Sequence, residues 1–124
     1  MIELQRFLVS QLKRIHPRVY LEWAVQGASF PYLVYQLPTS SEMNRREDFV
    51  LEVDVWDQPS DGSTLYLQTL TDRVDQQLNR LTYTDASGWN ARFFRVSRLM
   101  IPDPDPLIRR RQLRYDIRTY RRDT

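Results

Sequence analysis

This sequence predicts an α+β fold: a mainly antiparallel sheet of about four to five strands with two amphipathic helices packed on one face. Three observations carry the expectation. Two segments space their apolar residues at three and four, one segment alternates strictly in twos, and strand-like segments follow one another in pairs across short polar turns. At 124 residues the chain has the size of a single domain with one core, spanning 1–124.

Leu4, Leu8, Leu12 and Ile15, with Phe7 beside them, predict a first helix that Pro17 ends. Arg18 to Ala24 and Phe30 to Leu37 read as strands joined through Gln26-Gly27-Ala28-Ser29, and Pro31 places the start of the second at an edge or a bulge. Residues Pro38 to Arg46 offer no apolar face to a core, so they read as a loop, longer than a tight hairpin needs. Phe49, Leu51, Val53 and Val55 point one way and Glu52 and Asp54 the other, the clearest period of two in the chain, closed by Trp56. Asp57 to Gly62 is a turn cluster in which Ser60 or Ser63 can cap the next helix. Leu67, Leu70, Val74, Leu78 and Leu81 form the stripe of that helix. Thr84 to Asn90 is a turn around Ser87-Gly88, followed by a strand from Ala91 to Ile101. The run from Pro102 to Pro106 holds three prolines and cannot enter a sheet interior; Ile108 to Tyr120 is the last strand, with Leu113, Tyr115 and Ile117 on its buried face.

Composition narrows the function classes. Hydrophobic residues make up 41% of the chain and aromatics 12%, enough for a packed globule and too much for a disordered one. No apolar run approaches the roughly 18 residues that span a bilayer, and the first stretch is interrupted by Glu3, Arg6 and Lys13, so a soluble, unsecreted protein is expected. With no cysteine there is no disulfide, no thiolate zinc site and no cysteine nucleophile, and a reducing compartment is implied. Net charge is only +2, yet Arg109 to Thr124 holds seven arginines against Asp116 and Asp123. That segment is +5 and the remainder −3.

Candidates for chemistry are few. His16 is the single histidine, beside Pro17 at a helix end, and it reads as a surface or helix-terminal residue because no second imidazole or thiolate accompanies it. Carboxylates cluster at Glu47, Asp48, Glu52 and Asp54, at Asp57 and Asp61, and at Asp103 and Asp105; acid-base or magnesium chemistry would need them to converge in a pocket. Glu52 and Asp54 read more simply as the solvated side of a strand facing arginines on its neighbour. Three glycines, Gly27, Gly62 and Gly88, make no phosphate-cradling loop, and no serine sits in a nucleophile elbow. The expectation is a protein that is not an enzyme and uses no cofactor, no metal and no small-molecule substrate.

The arginine-rich end is the unusual feature. On a strand, Arg110, Arg114 and Arg118 share one face with Tyr120, while Arg109 and Arg111 begin the other. Such a row can pair with carboxylates across a sheet or a subunit boundary, stand as solvated structural arginines, or contact nucleic-acid phosphates. The small net charge speaks against general nucleic-acid binding, which stays as the alternative function.

Several segments in order resemble the tail completion, or tail terminator, proteins of long-tailed bacteriophages. They are Gly27 to Val34 (GASFPYLV), Phe49 to Asp57 (FVLEVDVWD), Val74 to Leu81 (VDQQLNRL), and the late pair Arg95 to Leu99 (RVSRL) and Arg114 to Ile117 with Arg118 (RYDIR), so the likeness spans nearly the whole chain. The resemblance implies a non-enzymatic virion protein, a ring usually of six copies that caps the finished tail tube and presents a surface to the head connector, in the virion tail or neck and in the host cytoplasm during assembly. Nucleic acid would at most pass through the ring lumen. The Pro102 to Pro106 turn and the dense C-terminal arginines depart from the family pattern.

A ring needs two different complementary patches on each copy. Acidic Glu47, Asp48, Glu52 and Asp54 with basic Arg109, Arg110, Arg111, Arg114 and Arg118 are the expected subunit pair. The Pro38 to Arg46 segment, with Glu42, Arg45 and Arg46, is the expected contact with tube or connector.

Overall fold

The computed structural model describes residues 2–121; Met1 and Arg122, Asp123 and Thr124, the end of the basic segment, lie outside it. The order of elements is α1 (Ile2–Lys13), β1 (Val19–Leu21), β2 (Tyr32–Met43), β3 (Arg46–Asp57), α2 (Leu65–Leu78), β4 (Thr82–Thr84), β5 (Asn90–Met100) and β6 (Arg109–Tyr120). The strands form one sheet in the order β1-β2-β3-β6-β5-β4.

Both helices obey their stripes. Leu4, Leu8 and Leu12 of α1 and Leu67, Leu70, Val74 and Leu78 of α2 are fully buried, because a spacing of three and four stacks them on one side of the helix. They close over one face of the sheet, where Phe49, Leu51, Val53 and Val55 of β3 meet Leu113, Tyr115 and Ile117 of β6, Leu33 and Tyr35 of β2, and Phe93 of β5 in one cluster. Between the helices, the Gln77 side-chain amide donates to Gln11 at 2.5 Å.

The centre of the sheet is the antiparallel pair β3 and β6, in register without interruption from Arg46↔Tyr120 to Asp57↔Arg109. One polar tie crosses from this pair to the helix layer. The buried Tyr115 hydroxyl donates to Asp75 of α2 at 2.8 Å, and the other carboxylate oxygen of Asp75 takes Arg95 of β5 at 2.9 Å. Burial, and then its bond to Asp75, raise the Tyr115 phenol well above its ordinary range, so the ring stays neutral and donating.

Three expectations are corrected. The sheet has six strands, not four to five, because Thr82–Thr84 adds β4, held by only three register pairs to β5 and carrying no buried residue that a sequence pattern could show. β1 is parallel to β2, not antiparallel, and only three residues long; the connection from Glu22 to Pro31 is long enough to carry the chain back to the starting end, with Glu22 and Gly27 both at positive φ. The Pro38 to Arg46 stretch is no loop: Thr39 to Met43 continue β2 past a bulge at Leu37 and Pro38 and pair with Arg46 to Val50. Backbone hydrogen bonding alone extends this ladder, so an apolar period is absent; Asn44, at φ 56, and Arg45 make the tight turn. At α2 the Ser63 expectation holds, since its hydroxyl accepts the Leu65 N–H at 3.3 Å, although the cap position itself falls on Thr64, whose side chain makes no capping bond.

The remaining turns follow the expectations. Gly88 (φ 93) lies in a turn where Asp85 accepts from the Ser87 N–H at 2.9 Å and the Trp89 N–H at 3.0 Å. The Pro102 to Pro106 run stays outside the strands, where Asp103 accepts the Asp105 N–H and Asp105 the Leu107 N–H, both at 2.9 Å.

Truncating Leu51 or Leu113, both without exposed surface, to alanine is expected to lower stability by about 2–5 kcal/mol. Ser40→Ala on the exposed arm of β2 should change it by less than about 0.5 kcal/mol. Urea unfolding of the three variants measures both.

Candidate functional site

The sheet face turned away from the helices holds Asp48, Glu52, Asp54, Arg110, Arg114 and Arg118 of the sequence-predicted site residues, and strand alternation puts them there. Along β3 it presents Asp48, Val50, Glu52, Asp54 and Trp56; directly opposite on β6 stand Arg118, Asp116, Arg114, Gln112 and Arg110. The structure therefore brings the acidic and the basic rows together within one chain. Arg110 meets Asp54 at 3.1 Å and Arg114 meets Glu52 at 3.7 Å. Gln112 and Gln36 add amide bonds to Asp54 and Glu52 at 3.1 and 2.7 Å.

These pairs differ in environment. Asp54 is only 4% exposed, and the guanidinium of Arg110 also lies over the Trp56 ring at 4.7 Å, so this contact combines a shielded ion pair with a cation-π contact. Glu52 and Arg114 are more open, where water screens the attraction. Arg118 lies over Phe94 at 5.5 Å and Arg92 over Tyr120 at 5.8 Å. The face is thus a neutralised ladder edged by aromatic rings, not a bare row of cations.

The other predicted residues sit at the two ends of the long strands. At the hairpin end Glu42 is exposed and Arg46 grips Asp48 with two bonds of 2.8 and 2.6 Å, which hold the Asp48 carboxyl below its ordinary range. Arg45 occupies the turn between them. At the opposite end Arg109 donates to the Pro106 carbonyl and Arg111 to that of Arg110. Burial, and next the charges of Arg98 and Arg109, lower the Arg111 guanidinium from its ordinary value; Asp57, opposite Arg109, and Asp103 stand at the same end.

One feature escaped the sequence reading. The connection between β1 and β2 folds across the outer face and forms a groove lined by Trp23, Val25, Phe30, Tyr32, Trp56 and Arg110, among others. Trp23 is 81% exposed. The aromatic residues were visible in the sequence, but the segment reads as part of a strand until the parallel pairing of β1 sets it free.

The remaining candidates for chemistry lie apart from one another. His16 is buried at the end of α1, where its Nδ1 accepts the Arg18 N–H at 3.1 Å. Among the described residues no group of three or more His, Asp or Glu side chains could hold a metal ion, and no helix is long and apolar enough to cross a membrane. Asp103 and Asp105 spend an oxygen each on their own turn.

Comparison with known proteins gives a consistent picture. The family model described as Tail completion protein gp17 matches residues 8–120. No single curated protein sequence matches. A solved chain from the virion of a native gene transfer agent (GTA) particle is similar in fold, with a TM-score of 0.65, 91% of each chain covered and 10% sequence identity.

Two outcomes follow from the geometry. Arg110→Met strands a buried carboxylate and should cost about 1–3 kcal/mol, whereas Arg114→Met, at the screened pair, should stay within about 1 kcal/mol; chemical denaturation ranks them. Burial, with the charges of Arg18 and Arg73, lowers the His16 pKa from its ordinary value. The unfolded chain therefore takes up this proton first as pH falls, and stability drops below about pH 6.5 towards the lower folded value. His16→Gln should flatten that part of the stability profile.

Proposed function

Since this chain belongs to the tail completion protein gp17 family, a family of structural virion proteins rather than enzymes, and so has its place in the virion tail, we propose that it is one subunit of a ring, six copies in number, that closes the tail tube and joins it to the head connector. The observation that carries the reading is where the charged residues fall. On the outer face Asp54 pairs with Arg110 and Glu52 with Arg114. The predicted site residues outside that set fall at the two ends of the sheet: Glu42, Arg45 and Arg46 at the hairpin, Arg109 and Arg111 beside the Pro102 to Pro106 turn.

Twelve-residue strands hold these ends about 36–40 Å apart. A subunit that joins two bodies needs two surfaces of different character, one for each. The hairpin end is a short polar turn, and the other end sets Arg109 and Arg111 beside the proline-rich turn that carries Asp103. Glu47 and Asp48 with Arg118 lie nearer the hairpin and extend that surface along the subunit boundary. Partners are therefore further copies of the chain, the tail tube protein and the connector, with DNA confined to passage through the lumen.

Native mass measurement of the protein alone and with tail tubes tests the ring, and a chain that stays monomeric in both would overturn it. Arg109→Glu with Arg111→Glu, and separately Glu42→Lys with Arg45→Glu, should keep the fold by circular dichroism and cut head joining at least tenfold in an in vitro assembly assay. Full joining by both variants would remove these ends from the interface. At about 0.15 M salt the protein should show no measurable affinity for free duplex DNA, because Arg110 and Arg114 already face carboxylates; tight salt-sensitive binding would favour the nucleic-acid reading instead.

A further inference from the structure

Besides the outer sides of the three-residue strands β1 and β4, the sheet leaves two stretches of strand edge without a partner strand among the described residues, and they are complementary. β1 covers β2 only at Leu33 to Tyr35, so Thr39 to Met43 pair on the β3 side alone. β4 covers β5 only at Asn90 to Arg92, and the chain just before β4 extends that cover through bonds to Phe93 and Arg95. Beyond the bulge at Val96, Ser97 to Met100 pair only with β6. Natural edges of this kind are normally guarded by charge, proline or a bulge. Here each guard, Pro38 on β2 and the Val96 bulge on β5, lies beside the free stretch and leaves four or five regular residues beyond it.

We propose that these two edges pair with each other between neighbouring copies, so that Thr39–Met43 of one subunit adds antiparallel to Ser97–Met100 of the next and the sheet runs continuously around the ring. The occupant of each edge is thus a second copy of this chain, and the inference rests on the ring reading above.

Four features of the structure support it. Strand direction is right: β2, β3, β6 and β5 alternate, so a copy placed beside β5 offers its β2 in the antiparallel sense. Charge is complementary: the free stretch of β2 has Glu42 as its single charge and that of β5 has Arg98, which Glu42 would share with Asp72 of α2. By register both belong to the helix-bearing face, Glu42 opposite Glu47 and Thr119, Arg98 opposite Leu113, so they meet when the sheet continues. Exposed apolar surface lies where the seam would bury it, with Met43 at 68%, Val96 at 55% and Leu99 at 48%.

The fourth feature is geometric. Pairing Glu42 with Arg98 displaces neighbours by six residues along the strands, about 20 Å, across a repeat of four strands, about 19 Å wide. The strands then tilt by about 45° from the ring axis, at the steep end of the range found where sheets close on themselves. The short β4 sits just past the turn of the incoming hairpin and limits how far it advances.

The absence of cysteine makes a direct test possible. With Glu42 opposite Arg98, Ser41 faces Leu99, both on the outer face. The double variant Ser41→Cys with Leu99→Cys, assembled with tail tubes and mildly oxidised, should give a ladder of disulfide-linked multimers of this chain, while each single variant gives none beyond dimer. Ser41→Cys with Ser97→Cys reads a register displaced by two. Rings seen by native mass with no ladder from either pair would overturn the edge pairing and leave the ring reading standing. Cross-links formed only to the tail tube protein would overturn it in favour of a different occupant. A protein that never exceeds a monomer, with or without tubes, would overturn both.

Discussion

The uninterrupted pairing of β3 with β6 is the constraint on which the molecule depends. Twelve consecutive residue pairs join segments about sixty positions apart in the chain, and everything else is attached to that ribbon. Its inner side supplies Phe49, Leu51, Val53, Val55, Leu113, Tyr115 and Ile117, the floor on which α1 and α2 rest. A slip of one residue would turn one strand over, sending either the β3 set or the β6 set to the solvent face and bringing Glu52 and Asp54, or Arg114, into the core. Register is therefore enforced from both sides at once, by burial within and by charge pairing without.

That double enforcement explains the apparent excess of arginine. A sheet covered on one face leaves the other in contact with water, and a row of like charges there would repel along its length. Facing the basic row of β6 with the acidic row of β3 cancels the field locally. Polar selection then falls to the ends of the strands and to the sheet edges. A structural virion protein of this size can recognise its neighbours through shape, a few charges and the open edges of its strands.

The Tyr115–Asp75–Arg95 tie shows how the helix layer is oriented on the floor. Apolar packing holds α2 down but is tolerant of sliding; a buried hydroxyl that must find its carboxylate is not, since leaving either group unpaired costs about 1–3 kcal/mol. The neighbouring Arg98–Asp72 pair repeats the connection one turn away. These contacts couple α2 to β5, the strand with the free edge, so the edge is presented on a braced element.

Periodicity made the two helices, the strands β2 to β6 with the exception of β4, and the buried face of β6 legible in the residues themselves, because each buries one side and that side must be apolar. The pairing of Glu52 and Asp54 with arginines on a neighbouring strand was legible for the same reason: alternation assigns charged residues to a common face. Elements that bury nothing left no trace. Thr39 to Met43 and Thr82 to Thr84 are strands by virtue of backbone bonds to partners far along the chain, and no local pattern encodes a remote partner. The parallel turn of β1, the aromatic groove it opens and the two unpaired edges belong to the same class. Sequence determined which faces are buried, since hydrophobicity is a property of each residue; only tertiary structure decided which edges and charges remain available, since availability is what is left after every partner has been found.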